Sequence, residues 1–199
     1  MSNTIFGKVF LGGSKRIGRV PENVVAYLDS FIESGEHFLI GDCHGADLAL
    51  QNYLHSKNYE KVTVFCSGEK CRFNVGGWEV RHIEASEELD GIEFYRKKDK
   101  VMIAECDCGF FVWDTHSIGT RLNRMELKRL GKPIFTYRST TDEFKITRRK
   151  EVAQGLSESL IETLMDVAED NIDAAIICNN EAELHAAIES MSIIEEEEK

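Results

Sequence analysis

Between Trp113 and Thr120 the chain reads Trp-Asp-Thr-His-Ser-Ile-Gly-Thr. Acidic, hydroxyl-bearing and small residues in such density suit an oxygen-rich ligand. An apolar run, Gly109-Phe110-Phe111-Val112-Trp113, leads in and stops at Asp114, and helical periodicity opens at Ser117. A strand, a Gly/Ser/Thr loop and a helix start in that order bring free backbone N–H groups to one spot, where the helix dipole favours negative charge. Phosphate binding is the chemistry expected. Ser117 and Thr120 can donate to a phosphate or cap the helix, Gly119 lets a ligand approach closely, and Asp114 can accept from a ribose or base. Trp113 could stack on a base, although a Trp that ends an apolar strand is more often core.

Two further loops have the same setting. Gly12-Gly13-Ser14-Lys15-Arg16-Ile17-Gly18 follows the apolar residues Val9 to Leu11, with Ile5 and Phe6 before them. Its glycines permit close approach, Lys15 and Arg16 bring charge, and Ser14 brings a hydroxyl. It has neither the Gly-Lys-Ser/Thr ending of a P-loop nor the Gly-x-Gly-x-x-Gly of a dinucleotide fingerprint, and a plain charged turn explains it as well. Gly41-Asp42-Cys43-His44-Gly45-Ala46-Asp47 follows His37 to Ile40. Asp42 could accept from ribose or base; Asp47, in a first helical turn, complements the helix dipole. His44 and His116 are lone loop histidines, too scattered for a metal centre. No Ser-His-Asp or Cys-His pairing has supportive spacing, so no catalytic residue is assigned.

The elements that must position these loops alternate. Strands are expected at Val9–Leu11, His37–Ile40, Val62–Cys66, Phe110–Trp113 and Ile134–Tyr137, with Val80, His82 and Ile83 forming a strand or a connection. Helices are expected after Pro21, from Gly45, over about Tyr95–Glu105 and over Arg121–Leu130. This order predicts an α/β fold, a Rossmann-like mostly parallel sheet with helices on both faces, plus a C-terminal helical extension. Ligands in such sheets bind beyond the carboxyl ends of the strands, where all three loops fall. The expected division is a nucleotide-binding domain over 1–138 and an acidic, mainly helical extension over 139–199, with 139–150 read as a polar, basic connector.

The 199 residues carry a net charge of −11, unevenly placed. Residues 1–150 hold 23 Lys+Arg and 21 Asp+Glu; residues 151–199 hold 1 Lys and 14 Asp+Glu. The acidic segment would repel phosphate, so nucleic acid is disfavoured as a partner there. No apolar run approaches the roughly 20 residues of a membrane span, and Met1-Ser2-Asn3-Thr4 is not a signal-peptide start. A cytoplasmic protein without a membrane partner is expected. In that compartment the six cysteines, Cys43, Cys66, Cys71, Cys106, Cys108 and Cys178, are expected as buried thiols rather than disulfides. A four-thiolate zinc site from Cys66, Cys71, Cys106 and Cys108 is the weaker reading, because the spacings are not those of a zinc knuckle.

The set Gly12-Gly13-Ser14-Lys15-Arg16, Gly41-Asp42-Cys43-His44-Gly45-Ala46-Asp47 and Trp113-Asp114…Ser117-Ile118-Gly119-Thr120 resembles the SLOG superfamily, relatives of the DprA-like and LOG Rossmannoid proteins. The likeness covers about residues 5–137 and is to the small bacterial and phage members. It implies a Rossmann-like sheet, a small-molecule nucleotide derivative as partner, and a sensor or binding module; it leaves room for a homo-oligomer. The ligand-binding set expected is Gly12, Gly13, Ser14, Lys15, Arg16, Gly41, Asp42, Gly45, Ala46, Asp47, Trp113, Asp114, Ser117, Gly119, Thr120 and Asn123. Neither a cofactor nor a metal is implied, and nucleic acid is the disfavoured partner. The alternative function is a nucleoside-monophosphate N-glycosidase or deoxyribosyltransferase-like enzyme. LOG enzymes carry a catalytic Glu in Pro-Gly-Gly-x-Gly-Thr-x-x-Glu; here that position is Asn123 and His116-Ser117 replaces the lead. An amide cannot do a carboxylate's work at an oxocarbenium-like centre. Glu126, one turn on, could face the same side.

Overall fold

Residues 6–85 and 91–147 are described by the computed structural model. In chain order the elements are β1 (Lys8–Gly13), α1 (Glu22–Glu33), β2 (His37–Gly41), α2 (Ala46–Ser56), β3 (Val62–Ser67), β4 (Glu79–Ile83), α3 (Gly91–Glu105), β5 (Cys108–Trp113), α4 (Ile118–Arg129), β6 (Ile134–Arg138) and β7 (Glu143–Thr147). The strands form one sheet in the order β4-β3-β2-β1-β5-β6-β7. All neighbours are parallel except β6 and β7. The α/β, Rossmann-like reading is therefore the observed fold.

Period-two alternation explains why the central strands are apolar throughout. Val9 and Leu11, Phe38 and Ile40, Val62 and Val64, Phe110 and Val112 face Val24, Leu28 and Phe31 of α1 and Leu50 and Leu54 of α2. Phe10, Leu39, Phe65 and Phe111 turn the other way, onto Met102 and Ile103 of α3 and Leu127 of α4. A parallel sheet covered on both faces needs this continuous burial, and β3 and β5 are buried at every position. Gly109 is forced: a Cβ there would lie 2.4 Å from a Leu127 methyl and 2.6 Å from the Phe111 ring.

Several boundaries differ from expectation. The β4 segment is a parallel edge strand, not a connection. Helix α3 begins at Gly91, ahead of Tyr95, and α4 at Ile118, ahead of Arg121. Part of the supposed connector is β7, paired back on β6 from Arg138↔Glu143 to Ile134↔Thr147. Its turn holds no glycine. Asp142 itself takes φ +56°, secured by hydrogen bonds to its Oδ1 from Tyr137 (2.5 Å) and Asn23 (2.7 Å). An edge strand with one water-facing side admits the charges of Glu143 and Lys145, which is why its sequence looks like linker. The chain divides into two units, Met1–Arg148 and Arg149–Lys199; the helices expected near 152–167 and 181–191 lie outside the described residues. No helix among the described residues is long and apolar enough to cross a membrane.

Cys66 and Cys71 form a disulfide, correcting the expectation of free thiols for that pair, while Cys106 and Cys108 are free and buried. Cys66 lies near the carboxyl end of β3 and Cys108 opens β5. In parallel strands those are opposite ends of the sheet, so the four sulfurs cannot share one ion.

Candidate functional site

In this strand order the sheet changes direction between β1 and β5: successive connections run one way from β1 to β4 and the other way from β5 to β6. At such a switch point the loops leaving the two strands diverge and open a crevice at their carboxyl ends. The loops after β1 and β5 meet here at Ser14. Its N–H donates to the Val112 carbonyl (3.0 Å) and its Oγ donates to Asp114 Oδ1 (2.7 Å). Its carbonyl accepts from Ile17 (3.1 Å) and from Ala46 at the start of α2 (3.1 Å). Ser14 is fully buried. It stitches three loops together, and its hydroxyl is committed to that task rather than turned to a ligand.

The glycines serve the same convergence. A Cβ on Gly13 would lie 2.1 Å from the Val112 carbonyl oxygen and 2.7 Å from the Ala46 methyl. Gly45 has φ +80°, and a Cβ there would strike the Lys15 backbone at 2.3 Å. Close approach in these loops is backbone to backbone. Gly119 differs, with nothing within 4 Å of its added Cβ.

Asp114 organises the third loop. Its Oδ1 accepts from Ser14 Oγ, His116 N (3.0 Å) and Ser117 N (2.9 Å). Burial pushes its carboxyl up, but the bonds from Ser14, His116 and Ser117 outweigh that and hold it below its ordinary value. Oδ2 accepts nothing among the described residues. Thr115 is driven to φ +63°, a conformation costly for a β-branched residue. Ser117 caps α4, accepting from Thr120 N (3.4 Å) and Thr120 Oγ1 (3.0 Å). Ser117 is thus the helix cap, and the Thr120 hydroxyl is turned to it. Ile118 and Gly119, the next two donors at the helix start, have N–H groups without a partner among the described residues. Trp113 is core: 2% exposed, with its indole N–H on Ser117 O and the Arg124 guanidinium 4.2 Å over its ring.

Asp42 and Asp47 have internal partners. Asp42 accepts from Arg72 at three points, Nη2 (2.8 Å), Nε (3.1 Å) and the backbone N–H (3.0 Å). Burial would raise its carboxyl, and the Arg72 bonds override that and lower it. Asp47 Oδ2 accepts from Cys43 N (3.2 Å). Asp47 and the buried Lys98 ammonium both crowd Gly41, where an added Cβ would lie 2.4 Å from Asp47 Oδ2 and 2.6 Å from Lys98 Nζ. Lys98 also pairs with Asp99 Oδ1 at 2.8 Å, and Asp99 Oδ2 accepts from Asn123 Nδ2 at 2.8 Å. Burial raises the Asp47 carboxyl to about 6, against a downward pull from Lys98. Asn123 is 5% exposed and its Oδ1 has no partner among the described residues. Glu126 turns instead to Arg129 (2.7 Å).

Arg72 and Tyr95 were not legible as site residues. Arg72 lies in the irregular stretch after β3 and Tyr95 on α3. The Arg72 guanidinium sits 4.3 Å from the Tyr95 ring centroid and Lys15 Nζ 5.3 Å from it. Two cations from separate loops share one aromatic ring. Lys15, Arg16 and Arg19, in the loop after β1, are all exposed.

No protein-family model and no curated protein matches the chain. A structure of DNA processing protein A from Helicobacter pylori, described for its unique single-stranded DNA binding mode, is similar. The match spans 85% of this chain and 78% of that one, at 16% identity and a TM-score of 0.49. This comparison runs against the partner expectation of a small-molecule nucleotide derivative with nucleic acid disfavoured, because the protein it turns up is itself described by its single-stranded DNA binding mode. The physical reason is local. The charge that argued against nucleic acid belongs to residues 151–199, whereas the strand-end loops carry Lys15, Arg16, Arg19 and Arg72.

Proposed function

We propose that the strand-end face binds nucleotide units through their phosphates, with a single strand of nucleic acid as the ligand that spans the face. The observation that carries this reading is the pairing of Lys15 and Arg72 over Tyr95 beside the switch point. Like charges drawn together are offset by an anion placed between them. Arg72 is held for that role, because Asp42 engages Nε and Nη2 and fixes the plane of the guanidinium, while Nη1 donates to nothing among the described residues. The open N–H groups of Ile118 and Gly119 supply a second anion position at the start of α4. Asp114 Oδ2 is the free acceptor for a sugar hydroxyl or base amine, and exposed Ile118 offers apolar contact to a base. Asp42, Asp47 and Ser14 act from behind, as positioning residues.

Fluorescence anisotropy with a labelled oligothymidylate, and with a labelled nucleoside monophosphate in parallel, tests the reading. Saturable strand binding is expected, weakened about tenfold or more in Arg72→Ala, given roughly 1.5–3 kcal/mol for a hydrogen bond to a charged group. Binding of the monophosphate alone would keep the phosphate site and remove the strand. Binding of neither would sink the proposal.

A further inference from the structure

The disulfide and Asp42 form a group with chemistry of its own. Asp42 follows β2 directly, and Gly41 pairs with Phe65 in the parallel register, so Asp42 stands beside Cys66 at the carboxyl end of β3. The two sulfurs and a carboxylate oxygen of Asp42 all lie within 4.8 Å of one another. Asp42 is 1% and Cys66 0% exposed, while Cys71 is half-buried and gives access from outside. We propose that reduction of the Cys66–Cys71 bond converts this group into a binding site for a thiophilic divalent cation of the Zn²⁺ class. The proposal stands independently of nucleotide binding.

The step balances with a thiol or phosphine reductant. Two electrons break the S–S bond, two protons complete the thiols, and the reductant leaves as its disulfide or its oxide. The cation then displaces both protons, giving two thiolates. In a tetrahedral site with metal–sulfur distances of about 2.3 Å and metal–oxygen distances of about 2.0 Å, donor atoms stand roughly 3.3–3.8 Å apart. The three donor atoms already lie within 4.8 Å of one another, and the freed sulfurs must separate from their bonded distance to reach that range. Charge also closes: two thiolates, the Asp42 carboxylate, a divalent cation and the Arg72 guanidinium sum to zero. A buried site with no net charge avoids the desolvation penalty that an uncompensated ion incurs. Water completes the fourth position on the Cys71 side, and Cys43 keeps its thiol on Arg72 Nη2 at 3.0 Å.

The test is Co²⁺ titration of the full chain, reduced with a phosphine and held without oxygen. One equivalent of Co²⁺ is expected to develop thiolate-to-metal charge transfer in the near ultraviolet and intense tetrahedral d–d bands, both erased by Zn²⁺. The oxidised chain should show neither. Cys71→Ser should abolish the charge-transfer signal, and Asp42→Asn should weaken Co²⁺ by about tenfold or more, since even groups behind the ligands are worth that much. Because Asp42 also anchors Arg72, its variant is read only where circular dichroism matches the wild type; Cys71→Ser, at a half-buried position, carries the test otherwise. Absence of the bands in the reduced wild type, or their survival in Cys71→Ser, would overturn the proposal.

Discussion

At the scale of single residues, the site separates side chains that face a ligand from those that hold them. Arg72 is the sharpest case. Asp42 grips it by a bidentate fork that an ammonium cannot reproduce, so Arg72→Lys is expected to lose nearly as much strand affinity as Arg72→Ala. Full recovery in the lysine variant would show that charge alone suffices. Lys15 acts as an exposed point charge. Removing one phosphate contact on a single strand lowers the slope of log affinity against log salt by about 0.7, which Lys15→Gln should show; an unchanged slope would take Lys15 off the phosphate. Asp47 sets a pH dependence. Its folded carboxyl is raised to about 6 from an ordinary 3.8, so the native state retains a proton that the unfolded chain has released. The resulting stabilisation is complete below about 3.8 and is lost as pH rises through about 6. The stability of the wild type relative to Asp47→Asn should therefore fall across that window, by no more than about 3 kcal/mol, when urea unfolding is followed at successive pH. A difference flat in pH would contradict the raised value.

At the scale of elements, three strand ends are locked into one another by glycines and one serine. Gly13→Ala forces a methyl onto the Val112 carbonyl, where neither backbone can retreat, and should cost about 1–3 kcal/mol in urea unfolding. Gly18→Ala, with open space around it, should stay within about 0.5 kcal/mol of the wild type. Equal effects at the two positions would argue against the crowded β1–β5 junction. Much of this was legible in the chain. Alternating apolar strands and helical stripes gave the parallel order, and Gly/Ser/Thr turns gave the three loops. The illegible parts have physical reasons. β7 is an edge strand whose charges look like linker and whose turn uses Asp142 in place of glycine. Arg72 and Tyr95 come from segments 23 positions apart with no local pattern, and only the packing of α3 over β3 brings them together. The hydroxyl of Ser14 and the ring of Trp113 have the right chemistry for a ligand, but burial assigns both to the scaffold.

At the scale of the whole molecule, sign of charge divides the chain. The first 150 residues are nearly balanced, with the loop after β1 basic, and the last 49 are strongly acidic. The central claim is that the carboxyl ends of β1, β2, β3 and β5 are where a nucleotide strand lies. The most direct measurement is a backbone amide ¹H–¹⁵N spectrum of the chain titrated with a short oligothymidylate. The account predicts shifts concentrated over residues 14–19, 42–46, 70–73 and 114–120, absent or much reduced in Arg72→Ala. Shifts confined to the opposite strand ends, around Lys8, His37 and Lys61, would contradict it.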